Sequence, residues 1–252
     1  MIEWSMVRQP LFSPNSTLPQ GSPLPQGSTL PQGSPLPQVS SGLNVTLHSP
    51  TAQGNPFVLT GEQLDLELYP AFLSKQNSDA YFSELAQDSN LKQGHLTIFG
   101  KSLPEPRETA WYGEAERSYT YSNKLMNPND WNSSNAGRIL LTIKNKIDPL
   151  VNLKFTSVLI NHYRNGHDSV GWHSDDEPEL GFEPFIASLS LGAERRFDLR
   201  LKSDHKKVIK WILPHGSLVI MKNKTQQYWQ HQIPKQPKET KARINLTYRV
   251  IL

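Results

Sequence analysis

Arg243-Ile244-Asn245-Leu246-Thr247-Tyr248-Arg249 alternates polar and apolar side chains without interruption. Successive residues of a β-strand point to opposite faces, so this stretch sets Arg243, Asn245, Thr247 and Arg249 on one face. Ile244, Leu246 and Tyr248, followed by Val250, lie on the other. The apolar face calls for burial against a partner layer. The polar face brings two guanidiniums together, which is costly in an interior unless a carboxylate or phosphate binds there. An exposed edge strand carries the same pattern, so the neighbouring segments have to decide between the two.

Working back from this strand, Val158-Leu159-Ile160 leads into Asn161-His162-Tyr163, and Ile186 to Leu191 is a run of small and apolar residues. Phe197, Leu199 and Leu201 alternate with Arg196, Asp198 and Arg200, and Val208 to Leu213 and Leu218 to Met221 follow as further strand-like runs. Earlier still, Leu64, Leu66 and Leu68 alternate with Asp65 and Glu67. Helical spacing occurs in two places. One is Ser78 to Ala86, with Tyr81, Phe82, Leu85 and Ala86 on its apolar side. The other is residues 134–148, where Ile139, Ile143 and Ile147 recur at every fourth position and Asp148-Pro149 reads as the stop. Many short strands with helices mostly in front of them predict a mainly β fold with flanking helices, a sandwich or barrel rather than a doubly wound parallel sheet. No glycine-rich phosphate loop is present, which argues against nucleotide hydrolysis and a dinucleotide fold.

The N-terminal part has a different texture. Between residues 16 and 38, Ser-Thr-Leu-Pro-Gln-Gly alternates with Ser-Pro-Leu-Pro-Gln-Gly. Proline removes backbone donors at every repeat and glycine raises the cost of ordering, so residues 1–54 are expected to form a disordered or polyproline-like tail. Residues 55–252 are expected to be one catalytic domain.

With 252 residues, 36% of them hydrophobic, the chain can bury a sizeable core. It has no cysteine. Disulfides, zinc-thiolate sites and iron-sulfur clusters are therefore excluded, and any metal must be held by imidazole and carboxylate. The first residues lack the basic and apolar regions of a secretory signal, and no apolar run approaches the roughly 20 residues that span a bilayer. The expectation is an intracellular protein without a membrane association, nuclear in a eukaryote or cytoplasmic in a bacterium. Net charge is only +3, yet nine Lys or Arg stand against two Asp between Arg195 and Lys224. Such a segment suits a phosphate backbone or a plain solvated face.

His173-Ser174-Asp175 is the candidate metal motif. Residues two apart in extended chain point the same way, so one imidazole and one carboxylate can converge on one ion. His231, flanked by Tyr228-Trp229-Gln230 and Gln232-Ile233, is a candidate third ligand from a neighbouring strand. Two His and one carboxylate on one face of iron(II) leave three positions for co-substrate and oxygen.

His173-Ser174-Asp175-Asp176-Glu177-Pro178, preceded by Asn161-His162-Tyr163 and completed by His231 and the Arg-x-Asn-x-Thr-x-Arg strand, resembles the AlkB family of iron(II) and 2-oxoglutarate dependent nucleic-acid dealkylases. The resemblance runs from about Tyr69 to the C-terminus. Ala110-Trp111-Tyr112-Gly113 and Ser118-Tyr119-Thr120-Tyr121-Ser122 place it nearest the eukaryotic-type DNA repair homologues. It implies a double-stranded β-helix, or jelly-roll, core with a nucleotide-recognition lid over about residues 90–130. By position, His173, Asp175 and His231 match the Fe(2+) ligands, Asn161 and Tyr163 match contacts to 2-oxoglutarate, and Arg243 matches the residue that holds its distal carboxylate. Asn245 and Arg249 match residues near its metal-bound end. Tyr119 and Tyr121 match lid positions at the extracted base, Asp176 and Glu177 fall at its edge, and Phe99 matches a wedge into duplex DNA, with Lys101 and Arg107 as phosphate contacts. An aromatic face and a carboxylate both suit a cationic methylated base.

The implied reaction is oxidative demethylation of 1-methyladenine or 3-methylcytosine in DNA, with 2-oxoglutarate and O2 as co-substrates, by a monomer. Single-stranded DNA, duplex DNA and RNA all remain open as the polymer. The other readings are an oxygenase acting on RNA or on a protein side chain, a cupin oxygenase without 2-oxoglutarate, and a non-enzymatic basic nucleic-acid binder.

Overall fold

Period-two alternation sorts the side chains of the central strands into two unlike environments, a packed layer under helices and a polar pocket. The computed structural model describes residues 36–252 except 53, 99, 115–118, 122, 123 and 127, and for 96–98, 119–121 and 124–126 it describes the backbone alone. The chain order begins β1 (Gln38–Val39), β2 (Thr46–His48), β3 (Phe57–Gly61), β4 (Leu64–Tyr69), α1 (Lys75–Leu85), β5 (Lys92–Ile98) and β6 (Lys101–Gly113). Then come β7 (Tyr119–Tyr121), β8 (Lys124–Met126), β9 (Asn129–Asp130), α2 (Asn135–Val151), β10 (Ser157–Tyr163) and β11 (Val170–His173). After a 3-10 turn at Pro178–Leu180, the order closes with β12 (Ile186–Gly192), β13 (Arg195–Leu201), β14 (Val208–Leu213), β15 (Ser217–Met221), α3 (Thr225–Tyr228), β16 (Trp229–Ile233) and β17 (Arg243–Arg249).

The larger sheet runs β2-β3-β4-β15-β12-β17-β10-β6-β5, with β9 alongside β6, and the smaller runs β1-β14-β13-β16-β11. At the centre of the larger sheet, Asn245 of β17 lies opposite Asn161 of β10 and Ser190 of β12. On the outer side, Ile244, Leu246 and Tyr248 join Val158, Ile160, Ala187, Leu189 and Leu191 in a core with Leu140, Ile143 and Ile147 of α2. The Tyr248 hydroxyl donates to the Leu140 carbonyl at 2.9 Å, which satisfies the one polar atom of that face. The alternate residues, including Asn161, Tyr163, Ser188, Arg243 and Asn245, line a pocket shared with His173, Phe197 and His231 of the smaller sheet. This is the expected mainly β, jelly-roll arrangement.

Helix α2 starts where the Ser134 side chain accepts from the Gly137 amide at 3.0 Å. It does not stop at Asp148-Pro149 as the sequence suggests. Pro149 is inside the helix, which ends at Asn152 in the left-handed conformation (φ 50°). A proline in the last turn forfeits a single i to i−4 bond, and the Leu153 amide still donates to the Asp148 carbonyl.

The domain also begins earlier than residue 55. β1 pairs with β14 and β2 with β3, so the segment expected to be tail contributes a strand to the edge of each sheet. Leu43, Val45 and Leu47 are half-buried while Asn44, Thr46 and His48 are exposed. That alternation is a strand signature overshadowed by the proline repeat before it.

Candidate active site

The site is built by the pairing of β11 with β16, which sets His173 directly opposite His231. Their rings lie 4.2 Å apart between centroids, and Phe197 packs on His231 at 5.5 Å. The chain then turns inward after His173. Ser174 donates to the Trp229 carbonyl at 2.8 Å and the Asp175 amide donates to Gln226 Oε1 of α3 at 2.9 Å, so the carboxylate is carried into the pocket. One ligand atom from each of His173, Asp175 and His231 lies within 4.8 Å of the others. Asp175 is 2% exposed and His231 8%.

Each group is in a metal-ready state. His173 Nδ1 is 2.8 Å from the Gly171 carbonyl, which only accepts, so Nδ1 carries a proton and Nε2 is the ring nitrogen available to a metal. His231 is pushed down to about 3 by burial and by His173 beside it, with Asp175 opposing, and is therefore a neutral imidazole. Burial resists the charge on Asp175. The Arg249 guanidinium outweighs it and keeps the carboxyl below its usual range. Asp175 Oδ1 accepts from Arg249 Nη2 at 2.5 Å. Its Oδ2, 3.8 Å from His231 Nε2, has no hydrogen-bond partner among the described residues. A buried carboxylate oxygen facing two imidazoles fits a divalent cation and little else.

On β17, the strand that also carries Arg249, Arg243 is 1% exposed. Its Nη2 donates to Ser190 Oγ at 2.9 Å, while Nε and Nη1 lack hydrogen-bond partners among the described residues. Burial lowers its pKa to about 10, Arg195 adds to the lowering and Tyr163 opposes it, so it remains a cation at neutral pH. The Tyr163 ring lies 5.3 Å from the Arg243 guanidinium carbon and 5.7 Å from that of Arg195. A buried guanidinium with two unmatched donor nitrogens calls for an anion.

Other expectations fare differently. The Asn245 amide donates to Ser188 Oγ (2.7 Å) and the Leu189 carbonyl (3.1 Å) and accepts from Thr247 (2.9 Å), so it braces the wall. Arg107 is not a surface phosphate contact: it is 3% exposed, lines the pocket and donates through Nε to Asn161 Oδ1 at 2.8 Å. Its strand turns inward there, which the linear spacing does not reveal. Lys101 is exposed. Asp176 is exposed and paired with Lys202 at 2.9 Å. Glu177 is half-buried with Oε2 lacking a hydrogen-bond partner among the described residues. Tyr119 and Tyr121 stand on β7, which pairs with β8, and their side chains lie outside the described residues, as does Phe99.

Sequence reasoning missed Gln226 and Lys202, whose contacts span chain separations of 51 and 26 residues and leave no local signal. Ser188 and Ser190 were detectable, because Ala-Ser-Leu-Ser-Leu gives the strand one polar face.

The family description "2OG-Fe(II) oxygenase superfamily" matches residues 65–249, most of the chain and all of the site. The chain belongs to the 2OG-Fe(II) oxygenase superfamily. Within it the chain is an AlkB homologue. It is 35% identical over 204 residues to the DNA oxidative demethylase ALKBH2 of Homo sapiens, covering 77% of this chain and 76% of that one. It is 43% identical over 193 residues to the human alpha-ketoglutarate-dependent dioxygenase alkB homolog 3, covering 73% of this chain and 65% of that protein's length. Among solved structures, a prolyl hydroxylase from Trichoplax adhaerens, in complex with a hypoxia inducible factor oxygen degradation domain peptide fragment, matches with a TM-score of 0.53. At 12% identity over 74% of this chain and 83% of that one, it shows the shared fold. The superfamily brings the cofactor set expected from the sequence: iron(II), 2-oxoglutarate and O2. No described helix is long and apolar enough to cross a membrane.

Proposed function

We propose that this AlkB homologue oxidatively demethylates N-alkylated bases in DNA, with 1-methyladenine and 3-methylcytosine as substrates. The observation that carries the reading is the conjunction, in one pocket, of the His173, Asp175 and His231 cluster with the buried, unsatisfied Arg243. Such a pocket takes a metal at one end and an anion at the other. Human ALKBH2, a relative over three quarters of its length, is named a DNA oxidative demethylase.

His173, Asp175 and His231 would hold the iron, which when bound supplies oxidation of an N-methyl group coupled to decarboxylation of 2-oxoglutarate. Arg243, with Tyr163 beside it, anchors the distal carboxylate. Arg249 fixes Asp175 by its Oδ1 so that Oδ2 stays directed at the metal position. The walls contributed by Leu159, Phe197 and Ile233 exclude water from the reacting end. By the family resemblance, Glu177 would supply a carboxylate for a cationic base, and Tyr119, Tyr121 and Phe99 would serve in stacking and strand separation.

Succinate and formaldehyde release from the full chain, given Fe(II), 2-oxoglutarate and O2, tests this with methylated single-stranded DNA, duplex DNA and RNA of one sequence. The expected result is stimulation by methylated DNA above unmethylated DNA. Stimulation confined to the RNA would reassign the polymer, and none by any oligonucleotide would overturn the reading.

A further inference from the structure

Arg107 stands where β6 passes from the β5–β6 hairpin into the core, and it lines the pocket without belonging to the metal cluster. It is 3% exposed, beside Glu105 at 8%. Burying a cation and an anion is expensive unless their geometry does something that apolar residues would not. The pair has an outward and an inward contact. Outward, Arg107 Nη2 lies 3.1 Å from Glu105 Oε2, a close charge contact set off the hydrogen-bond direction. The Glu105 side chain in turn fills the space beneath Gly94, where a Cβ would meet its Oε1 at 2.8 Å. The register of β5 on β6 slips at that point, between Gln93 and His95, and Gln93 Nε2 donates to the Glu105 carbonyl at 2.8 Å. The hairpin is thus bulged over the carboxylate.

Inward, Arg107 Nε donates to Asn161 Oδ1 at 2.8 Å. A guanidinium only donates, so the Asn161 oxygen must face it and the NH2 group must occupy the other end of the amide. That NH2 group has no hydrogen bond to a described residue, and Asn161 lines the same pocket as Arg243. We propose that Arg107, seated on Glu105, is a positioning residue that locks Asn161 with its NH2 group toward the co-substrate, tying co-substrate binding to the seat of the β5–β6 hairpin. This rests on reading the pocket as a 2-oxoglutarate site.

The test is calorimetric titration of 2-oxoglutarate into the Mn(II)-loaded full chain without oxygen, paired with hydrogen exchange of β5. Arg107→Lys keeps a charge against Glu105 but loses the planar Nε donor, and is expected to weaken binding about tenfold. Asn161→Asp still accepts from Arg107 but cannot donate to the pocket, and should cost about the same factor. The double variant should be no weaker than the worse single one, because both remove the same N–H. Wild-type affinity in Arg107→Lys overturns the proposal. So does a roughly hundredfold loss in the double variant, which would mean that Arg107 acts apart from Asn161.

In the exchange experiment, 2-oxoglutarate should slow β5 amides in the wild type and not in Arg107→Lys; equal slowing in both overturns the coupling. If Arg107→Lys fails to fold, Glu105→Gln carries the same tests, with about threefold weaker binding expected and wild-type affinity decisive against the proposal. No binding by the wild-type chain overturns the pocket assignment and this proposal with it.

Discussion

Asp175 has two oxygens in unlike surroundings, Oδ1 on Arg249 and Oδ2 facing the imidazoles. The two parts of its role can be separated. Asp175→Ala removes the carboxylate facing a buried guanidinium, whereas His231→Ala removes a neutral ring. Both are expected to abolish Mn(II) binding, but only Asp175→Ala should also cost about 3–5 kcal/mol of stability in urea unfolding. Equal stability losses would show that Arg249 is indifferent to Asp175. Arg243 gives the converse case. Its buried charge is poorly compensated, so Arg243→Met should leave stability unchanged or raise it by up to about 2 kcal/mol while eliminating 2-oxoglutarate binding. A large destabilisation would mean that the guanidinium is structural. At this scale the metal ligands were legible because His-x-Asp spacing and a later strand His are local patterns. Arg107 was misassigned because its burial depends on which strand β6 joins, and that is a property of the sheet.

Elements were legible wherever period and burial agree. The strand from Arg243 to Arg249 alternates in sequence and divides as expected between the α2 side and the pocket. What the alternation could not show is that the polar face would be as buried as the apolar one, since all seven residues are buried. The end of α2 was misread because proline was weighed as a breaker, while the decisive features are Asn152 in the left-handed conformation and the Asp148 side chain. That carboxylate accepts from the Phe155 amide at 3.2 Å and pairs with Lys144 at 2.7 Å. The helix is held chiefly by its packed face. Ile147→Ala, at a fully buried position in the core cluster, is therefore expected to cost about 2–5 kcal/mol in chemical denaturation. Ile139, which is only partly buried against the same core, should cost distinctly less on the same substitution. Equal costs would contradict the packing.

At the scale of the whole molecule, the basic stretch found in the sequence proves to be largely engaged in internal contacts. Arg195 is fully buried and donates to the Asn165, Asp168 and Pro234 carbonyls. Arg196 pairs with Asp198, Lys202 with Asp176, Lys207 with Glu62, and Lys222 with Glu67. Counting charges along the chain therefore overstated this segment as a phosphate surface. Several of those contacts converge on the open edge between the sheets. Glu62 Oε1 accepts from Lys207 at 3.1 Å and from the Asn44 amide at 3.4 Å, and its carbonyl accepts from Trp229 Nε1, two residues before the ligand His231, at 2.9 Å. Ser40 exchanges two hydrogen bonds with Val208 beside β1.

Residues 36–48 thus strap the edge of one sheet to the edge of the other, and the strap shares a turn with the strand that carries His231. Removing it strips backbone partners from β14 and β3 and leaves two bare edges, the usual route to edge-to-edge association. A chain starting at residue 50 is expected to melt several degrees below one starting at residue 36, at about 2–4 °C per kcal/mol for a domain of this size. It should also bind Mn(II) more weakly and associate at high concentration. Light scattering, thermal melting and metal titration on the two chains decide it: identical melting and metal affinity would mean that the two sheets hold together, and hold His231 in place, without the strap.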